Sequence, residues 1–177
     1  MRAGIETETT HRGRLFSVEV LSFTDAHGRS VRREIVRHPG AVVIVPVLDD
    51  GRLVLIRNYR IAVDDRLWEL PAGKLEAGEE PPQAAARELQ EETGYRAARI
   101  RPLTAFFSSP GFADELIHAF CAEELTHVGQ NLEPGEEIEV AELARGEVLA
   151  MIADGRIRDG KTIAAVLMWH HFSGNAR

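Results

Sequence analysis

The chain has 177 residues and a net charge of −7, with 44% hydrophobic and 28% charged residues. This composition is that of one globular domain, with or without a small appendage, and excludes a wholly disordered, collagenous or coiled-coil chain. No apolar run approaches the ~20 residues of a membrane span. Residues 1–16 lack the apolar core of a signal peptide, and the single cysteine, Cys121, excludes an intrachain disulfide. We therefore expect a cytoplasmic protein.

Residues 15–23 alternate between apolar and polar side chains and predict a strand. A D-A-H-G turn separates them from a predicted return strand at residues 31–36, so the two form a β-hairpin. The H-P-G sequence at 38–40 then breaks the pattern. We divide the chain there into an N-terminal β-hairpin segment, 1–38, and a main domain, 39–177.

The main domain predicts strands interspersed with helices. The predicted strands are 41–48, 53–58, 103–107 and 116–121, and the predicted helices are 81–93, 140–153 and 161–172. The apolar run 41–48 indicates a buried strand, in which Pro46 suggests a bulge or the strand end. Two prolines suit the first turn of helix 81–93, and Gly94 suits its end. This order predicts a mixed α/β fold.

The negative charge is concentrated in the middle of the chain. Residues 61–147 hold 7 basic and 19 acidic side chains, a net charge of −12. An acidic surface disfavours binding to nucleic-acid phosphates and is compatible with collecting divalent cations. A solvated acidic face that aids solubility is the alternative. We expect neither a nucleic-acid partner nor a membrane partner.

Three glutamates of the predicted helix 81–93 share one face. Glu88, Glu91 and Glu92 are spaced i, i+3 and i+4. Like charges repel at this spacing, and a bound cation would offset the repulsion. Carboxylates without histidine or thiolate suit a hard ion such as Mg²⁺, which in proteins also binds substrate phosphates. The pattern indicates metal-assisted attack on a phosphate ester or anhydride, with an exposed acidic helix face as the alternative.

A longer pattern surrounds these glutamates. Gly73 is followed after five residues by Glu79, and after seven more by R-E-L, then by E-E at 91–92 and by G-Y at 94–95. This resembles the Nudix box, G-x5-E-x7-R-E-U-x-E-E-x-G-U, where U is apolar, and every fixed position matches. Tyr95 is a slightly polar choice for the last U. On this motif the chain is identified as a member of the Nudix family.

The resemblance implies an α/β fold, namely a Nudix-type α/β/α sandwich with a mixed β-sheet, here with a small N-terminal antiparallel β segment. It implies hydrolysis of a nucleoside diphosphate linked to another moiety, with Mg²⁺ as cofactor and Mn²⁺ as a possible substitute. It also implies that Arg87 and Glu79 pair to brace the loop, with simple packing as the alternative. The implied metal ligands are Glu88, Glu91, Glu92 and the carbonyl of Ala72.

Flanking sequences resemble the ADP-ribose pyrophosphatase branch of this family. Residues 67–73 read L-W-E-L-P-A-G, and residues 108–115 read S-S-P-G-F-A-D-E, with Pro110 fifteen residues after the end of the box. N-Y-R at 58–60 and D-G-K-T at 159–162 also resemble that branch. The resemblance implies hydrolysis of ADP-ribose to AMP and ribose 5-phosphate.

Five residues are predicted to contact the substrate, namely Arg60, Trp68, Glu76, Gly111 and Glu115. Arg60 offers a planar fork for phosphate oxygens, with a surface salt bridge as the alternative. Gly111 permits close backbone approach unless it only serves a Pro-Gly turn. Glu76 and Glu115 would contact the ribose or the water network unless they are solvated loop acids. Trp68 would stack on the base unless it belongs to the core.

The branch takes its general base from a mobile loop rather than from the box helix. Residues 133–140 read E-P-G-E-E-I-E-V in the corresponding stretch. We predict Glu136 as the base, with Glu137 and Glu115 as the next candidates, and Glu92 as a catalytic residue through the metal. A flexible acidic loop without a catalytic role is the alternative.

Three other functions stay open. The substrate could be another sugar nucleotide, such as GDP-mannose, or the chain could be a non-catalytic sensor that binds ADP-ribose. The intact box and the loop glutamates argue against the sensor. Residues 155–162 formally match the P-loop pattern G-x4-G-K-[ST], but they follow a predicted helix and only 15 residues remain after Thr162. Lys161 is instead predicted to cap or pair near the last helix.

The N-terminal hairpin, residues 15–37, is too small to be stable alone. In the branch that the chain resembles, such a segment packs across a homodimer, often swapped, and completes the partner's site. We therefore expect a homodimer whose other partner is a small-molecule nucleotide sugar.

Overall fold

A computed structural model of the chain describes residues 4–132 and 135–173. Within these ranges the chain forms ten strands and three helices. They are β1 (Glu6–Arg12), β2 (Ser17–Thr24), β3 (Ser30–Arg37), β4 (Ala41–Pro46), β5 (Leu53–Arg60), β6 (Asp65–Glu69), β7 (Ala72–Lys74), α1 (Pro81–Thr93), β8 (Tyr95–Phe107), β9 (Leu116–His127), β10 (Ile138–Leu143), α2 (Arg145–Ala153) and α3 (Gly160–Ser173). No helix in the described ranges is long and apolar enough to span a membrane.

The central sheet has four strands in the order β7-β4-β9-β8. β4 runs parallel to β9, whereas β7 and β8 pair antiparallel with their neighbours. The predicted mixed sheet is therefore confirmed. A second sheet, in the order β10-β5-β6, is antiparallel throughout.

Helices cover both faces of the central sheet, and β4 shows why its sequence is apolar throughout. Val42 and Ile44 pack in one cluster with Ala84, Ala85 and Leu89 of α1. Val43 and Val45 belong to a second cluster, which also contains residues of α2 and α3. A strand buried on both faces needs no polar alternation. The arrangement is an α/β/α sandwich, as the resemblance implied.

The N-terminal segment forms a sheet of three strands, in the order β1-β2-β3, rather than a two-stranded hairpin. β1 was not predicted from the sequence. All seven of its side chains are exposed, so its sequence does not alternate between apolar and polar residues. The segment is tied to the main domain by two backbone hydrogen bonds, from Val36 N to Phe112 O (2.8 Å) and from Asp114 N to Val36 O (3.1 Å). The division at residue 38 remains a prediction.

One predicted helix is partly wrong. Residues 138–143 form β10, which pairs antiparallel with β5, and α2 begins only at Arg145. Ile138 pairs with Asn58 and Leu143 with Leu53, so a distant strand decides the conformation of this stretch. β8 and β9 extend well beyond the predicted 103–107 and 116–121 because they pair with each other along most of their length. The short strands β6 and β7 were not predicted.

Candidate active site

β7 and α1 place the start and the centre of the box against each other. A Cβ built on Gly73 would lie 1.9 Å from Glu88 Oε1, far inside van der Waals contact. Any larger residue at this position would therefore displace the Glu88 carboxylate. At the other end of α1, Gly94 adopts φ +74°, and its backbone N–H donates to Gln90 O at 2.9 Å. The helix spans the predicted residues 81–93.

Arg87 binds three carboxylates at the centre of the site. Its guanidinium donates to both oxygens of Glu79 at 2.9 and 3.0 Å, so the pair implied by the resemblance is in contact. Nη1 also donates to Glu88 Oε1 at 2.6 Å and to Glu91 Oε2 at 3.0 Å. The hydrogen bond from Arg87 holds the pKa of Glu79 below its ordinary value. Arg87 thus offsets the repulsion along this face of α1.

Glu92 lies deeper than the other two glutamates, with 3% of its surface exposed. Its Oε2 accepts a hydrogen bond from the backbone N–H of Ala72 at 2.8 Å. Burial raises the pKa of Glu92 to about 8 against this hydrogen bond, and the charges of Glu88 and Glu136 add to the rise. Burial likewise raises the pKa of Glu88, with contributions from Glu91 and Glu136. Negative charge is therefore disfavoured here without a cation.

Glu136, the predicted base, lies close enough to Glu88 and Glu92 to perturb both carboxylates, and it is half-buried. Its neighbour Glu137 is exposed and instead pairs with Arg66 of β6 at 2.7 Å. Two residues of the predicted loop, 133 and 134, lie outside the described residues. Of these two glutamates, Glu136 is the one whose charge contributes to the raised pKa of Glu88 and Glu92.

The donor atoms of this site fit a divalent cation. Glu88, Glu91 and Glu92 supply oxygen only, and the buried Glu92 carboxylate lacks a countercharge as close as the one that Arg87 gives to Glu88. In the described part of the chain, no three acidic, histidine or cysteine side chains form a ready coordination sphere. Arg87 holds Glu88 and Glu91 in the present arrangement. Each of these contacts engages one carboxylate oxygen, Glu88 Oε1 and Glu91 Oε2, so the second oxygen of each could face a cation while Arg87 stays in place.

A cavity of about 630 Å³ opens beside the box. Its wall includes residues 72–74 of β7, residues 106–108 at the end of β8, and the first residues of α3. Of the five predicted substrate contacts, Arg60 and Glu115 line this cavity. Ala72, which donates its amide to Glu92, thus lies in the same wall as the cationic side chains of Arg60, Lys74 and Lys161.

The other three predicted substrate contacts lie elsewhere. Glu76 and Gly111 are exposed, and a Cβ at Gly111 would meet no atom within 4 Å, so the described chain does not require glycine there. Trp68 is half-buried and packs against the core, with the guanidinium of Arg57 5.8 Å from its ring centroid. Contact of these three residues with the substrate stays a prediction.

The sequence did not indicate Glu69 as a member of this site. Glu69 is 1% exposed and binds Arg60 through both oxygens, at 2.7 and 2.8 Å. Lys161 Nζ donates to Glu69 Oε2 at 2.5 Å and to Asp159 Oδ1 at 2.9 Å. Lys161 thus pairs near the start of the last helix, as predicted. The signal available in the sequence was Lys161 in D-G-K-T. A buried acid such as Glu69 needs a cationic partner, and this lysine is one of its partners.

Comparison with known proteins shows extensive similarity. The family model of the NUDIX domain matches residues 37–166. An ADP-ribose pyrophosphatase of Bacillus subtilis (strain 168) is 40% identical over 164 residues, which cover 92% of this chain and 89% of that protein. A GDP-mannose pyrophosphatase of Yersinia enterocolitica is 39% identical over 153 residues, covering 78% of each chain. A crystal structure of an ADP compounds hydrolase superposes with a TM-score of 0.83 at 25% identity, covering 100% of this chain and 98% of the other.

Proposed function

The chain belongs to the Nudix family, and from this premise we propose that it is a Mg²⁺-dependent pyrophosphatase that hydrolyses ADP-ribose to AMP and ribose 5-phosphate. The observation that carries the proposal is the buried Glu92, which accepts the backbone N–H of Ala72 at the wall of a cavity that Arg60 and Lys161 also line. The carboxylates of the box would hold a cation beside this wall, and the cationic side chains that line the cavity would contact phosphates. The identity to an ADP-ribose pyrophosphatase supports the choice of substrate.

Glu88, Glu91, Glu92 and the carbonyl of Ala72 would hold the ion, with Mn²⁺ as a possible substitute. When bound, the ion supplies neutralisation of the diphosphate charge and a lowered pKa for a water molecule. Arg87 would keep the carboxylates oriented through its contact with Glu79. Gly73 leaves the space that the Glu88 carboxylate occupies.

Glu136 would accept the proton of the attacking water, with Glu137 and Glu115 as less favoured candidates. The water oxygen forms a bond to one phosphorus while the bridging phosphorus–oxygen bond breaks, which gives two phosphomonoesters. Arg60 would contact the phosphates, and Glu115 the ribose or the water network, because both line the cavity. Most of the rate enhancement would come from positioning and charge neutralisation. For Glu76, Gly111 and Trp68, substrate contact rests on sequence resemblance alone.

A substrate panel with Mg²⁺ tests the proposal. The panel contains ADP-ribose, GDP-mannose, ADP-glucose, NADH and diadenosine polyphosphates, with products separated by chromatography. We expect ADP-ribose to be hydrolysed faster than the other compounds, with release of AMP and ribose 5-phosphate. Preference for GDP-mannose would favour the activity named for the Yersinia relative. Binding of ADP-ribose without turnover of any compound would favour a sensor.

We further propose that the protein acts in the cytoplasm as a homodimer in which the N-terminal sheet forms the contact. The fully exposed β1 leaves one edge of this sheet open for pairing. The single buried cysteine suits a reducing compartment.

A further inference from the structure

The segment from Leu70 to Ala72 joins β6 to the first residue of β7 and carries no charged side chain. Its hydrogen bonds to other elements are made by its backbone, while the Leu70 side chain is buried in the core. Ile44 N donates to Pro71 O at 2.9 Å, and Ala72 N donates to Glu92 Oε2 at 2.8 Å. The third hydrogen bond runs from Leu70 N to the side-chain oxygen of Thr162 at 2.8 Å. Two of these three bonds thus join the segment to the central sheet and to the box helix, and one joins it to α3.

Thr162 is fully buried, and both hydrogen-bonding functions of its hydroxyl are used. The hydroxyl donates to Asp159 Oδ2 at 2.6 Å and accepts from Leu70 N. Asp159 Oδ2 also accepts the backbone N–H of Thr162 at 2.9 Å, which fixes the carboxylate at the start of α3. The hydroxyl therefore has one orientation, in which its lone pair faces the segment.

The same carboxylate continues the network towards the cavity. Asp159 Oδ1 accepts from Lys161, and Lys161 also donates to the buried Glu69. Glu69 in turn binds Arg60, which lines the cavity. Hydrogen bonds and ion pairs thus run without interruption from Arg60 to the Leu70 amide. Here the lysine and the threonine of the G-x4-G-K-T match both bind protein groups.

We propose that Thr162 is a positioning residue for the cation site, acting through the backbone of Leu70–Ala72. A shift of this segment would move the Ala72 amide that orients Glu92 and the Ala72 carbonyl that is a proposed ligand. The inference rests on the proposed function, because it takes the site of Glu88, Glu91 and Glu92 as the one that binds the ion. Neighbours that orient metal ligands typically change metal affinity or activity by about 10–100-fold when they are removed.

The test compares Thr162→Val with Thr162→Ser. Valine keeps the volume but leaves the buried Leu70 N–H and Asp159 without the hydroxyl, whereas serine keeps it. Mn²⁺ affinity is measured by electron paramagnetic resonance on the substrate-free protein, and kcat and KM are measured separately with ADP-ribose. We expect Thr162→Val to weaken Mn²⁺ binding and lower kcat by about 10–100-fold with a smaller change in KM, and Thr162→Ser to restore both to within about threefold.

Val166→Ala is the matched control, since Val166 is equally buried in α3 but contributes only apolar contacts. It should lower the melting temperature while keeping the wild-type Mn²⁺ affinity. Wild-type affinity and kcat in Thr162→Val, or an equal loss in Val166→Ala, would overturn the inference and leave the proposed function standing. Should Thr162→Val not fold, Thr162→Cys provides a weakly hydrogen-bonding side chain, and unchanged affinity there would overturn it equally. If Glu92→Gln binds Mn²⁺ as tightly as the wild type, the proposed cation site itself is wrong.

Discussion

At the residue scale, two buried carboxylates of this site have opposite electrostatic surroundings. Glu69 lies between Arg60 and Lys161, and these cations outweigh the effect of burial, so its pKa falls below the ordinary value. Glu92 has a backbone amide at hydrogen-bonding distance, and burial raises its pKa to about 8. The first carboxylate is stabilised by the protein itself. The second gains from a cation that comes from solution.

Glu92→Gln should remain folded and lose activity by orders of magnitude. Because the pKa of Glu92 rises from the ordinary 4.5 to about 8, the folded state favours the protonated carboxyl. The protonated Glu92 therefore stabilises the fold fully below about pH 4.5, and this stabilisation is lost as the pH rises through about 8. In EDTA, the wild type should lose on the order of 10 °C of melting temperature relative to Glu92→Gln between pH 5 and pH 9. Added Mg²⁺ should restore the loss in the wild type only, and equal pH profiles of the two proteins would contradict the assignment.

Glu136→Gln tests the general base, with Glu137→Gln as its control on the same loop. Glu136 is electrostatically coupled to Glu88 and Glu92, whereas Glu137 pairs with Arg66 away from them. We expect Glu136→Gln to lower kcat by about 10²–10⁴-fold. Glu137→Gln should change kcat by less than about threefold, because an exposed ion pair contributes little. Steady-state kinetics decide, and nearly full activity of Glu136→Gln would place the base elsewhere.

At the element scale, Glu69 connects three elements through its ion pairs. It ends β6, and its partners are Arg60 at the end of β5 and Lys161 in the first turn of α3. These contacts hold α3 against the second sheet at the cavity wall. The site therefore depends on the relative placement of elements that are about 90 residues apart in the sequence, as Glu69 and Lys161 are.

Glu69→Gln should destabilise the protein by roughly 3 kcal/mol, since it leaves the partly buried Arg60 without its carboxylate and Lys161 with Asp159 alone. For a chain of this size that corresponds to a fall of about 6–12 °C in melting temperature. The pKa of Glu69 in the folded protein lies below the ordinary 4.5. The ionised Glu69 therefore stabilises the fold fully above about pH 4.5, and this stabilisation is lost as the pH falls through the lowered pKa. The gap between mutant and wild type should therefore narrow in acid, as differential scanning calorimetry can measure.

Glu142→Gln is the control for this substitution. Glu142 pairs with Arg52 at 2.6 Å, but both side chains are substantially exposed. Its loss should cost less than about 1 kcal/mol. Equal stability of the two mutants would show that the Glu69 network does not hold these elements together.

At the scale of the whole molecule, the N-terminal sheet stands apart from the core. The two core clusters of the described chain contain no residue before Ala41. The sheet nevertheless reaches the site, because Leu15 lines the cavity and Arg37 binds Asp114 at 3.0 Å in the loop that precedes β9. The segment is thus placed to affect function more than folding.

Removal of residues 1–38 should therefore leave a folded main domain that is monomeric and poorly active. Circular dichroism would report the fold, light scattering the oligomeric state, and turnover of ADP-ribose the activity. The full-length chain under the same conditions is the control and should be a dimer. A full-length monomer, or a truncated chain that still dimerises, would refute the role proposed for this sheet.

Much of the box could be predicted from sequence because its information is local. Helical periodicity places Glu88, Glu91 and Glu92 on one face, and the prolines and Gly94 set the ends of α1. The apolar run of β4 likewise indicates burial on both faces before any partner is known. These features depend on residues within a few positions of one another.

Only the tertiary structure decided the rest, because pairing between distant segments leaves little local signal. β10 is a strand because β5 lies beside it, although its sequence predicted a helix. Arg60, predicted to face substrate phosphates, lines the cavity while bound to Glu69. Thr162 reaches the Leu70 amide only through the fold. The sequence by itself determined the box helix and its carboxylates, whereas the fold decided which groups surround them, since burial and ion pairing depend on residues far apart in the chain.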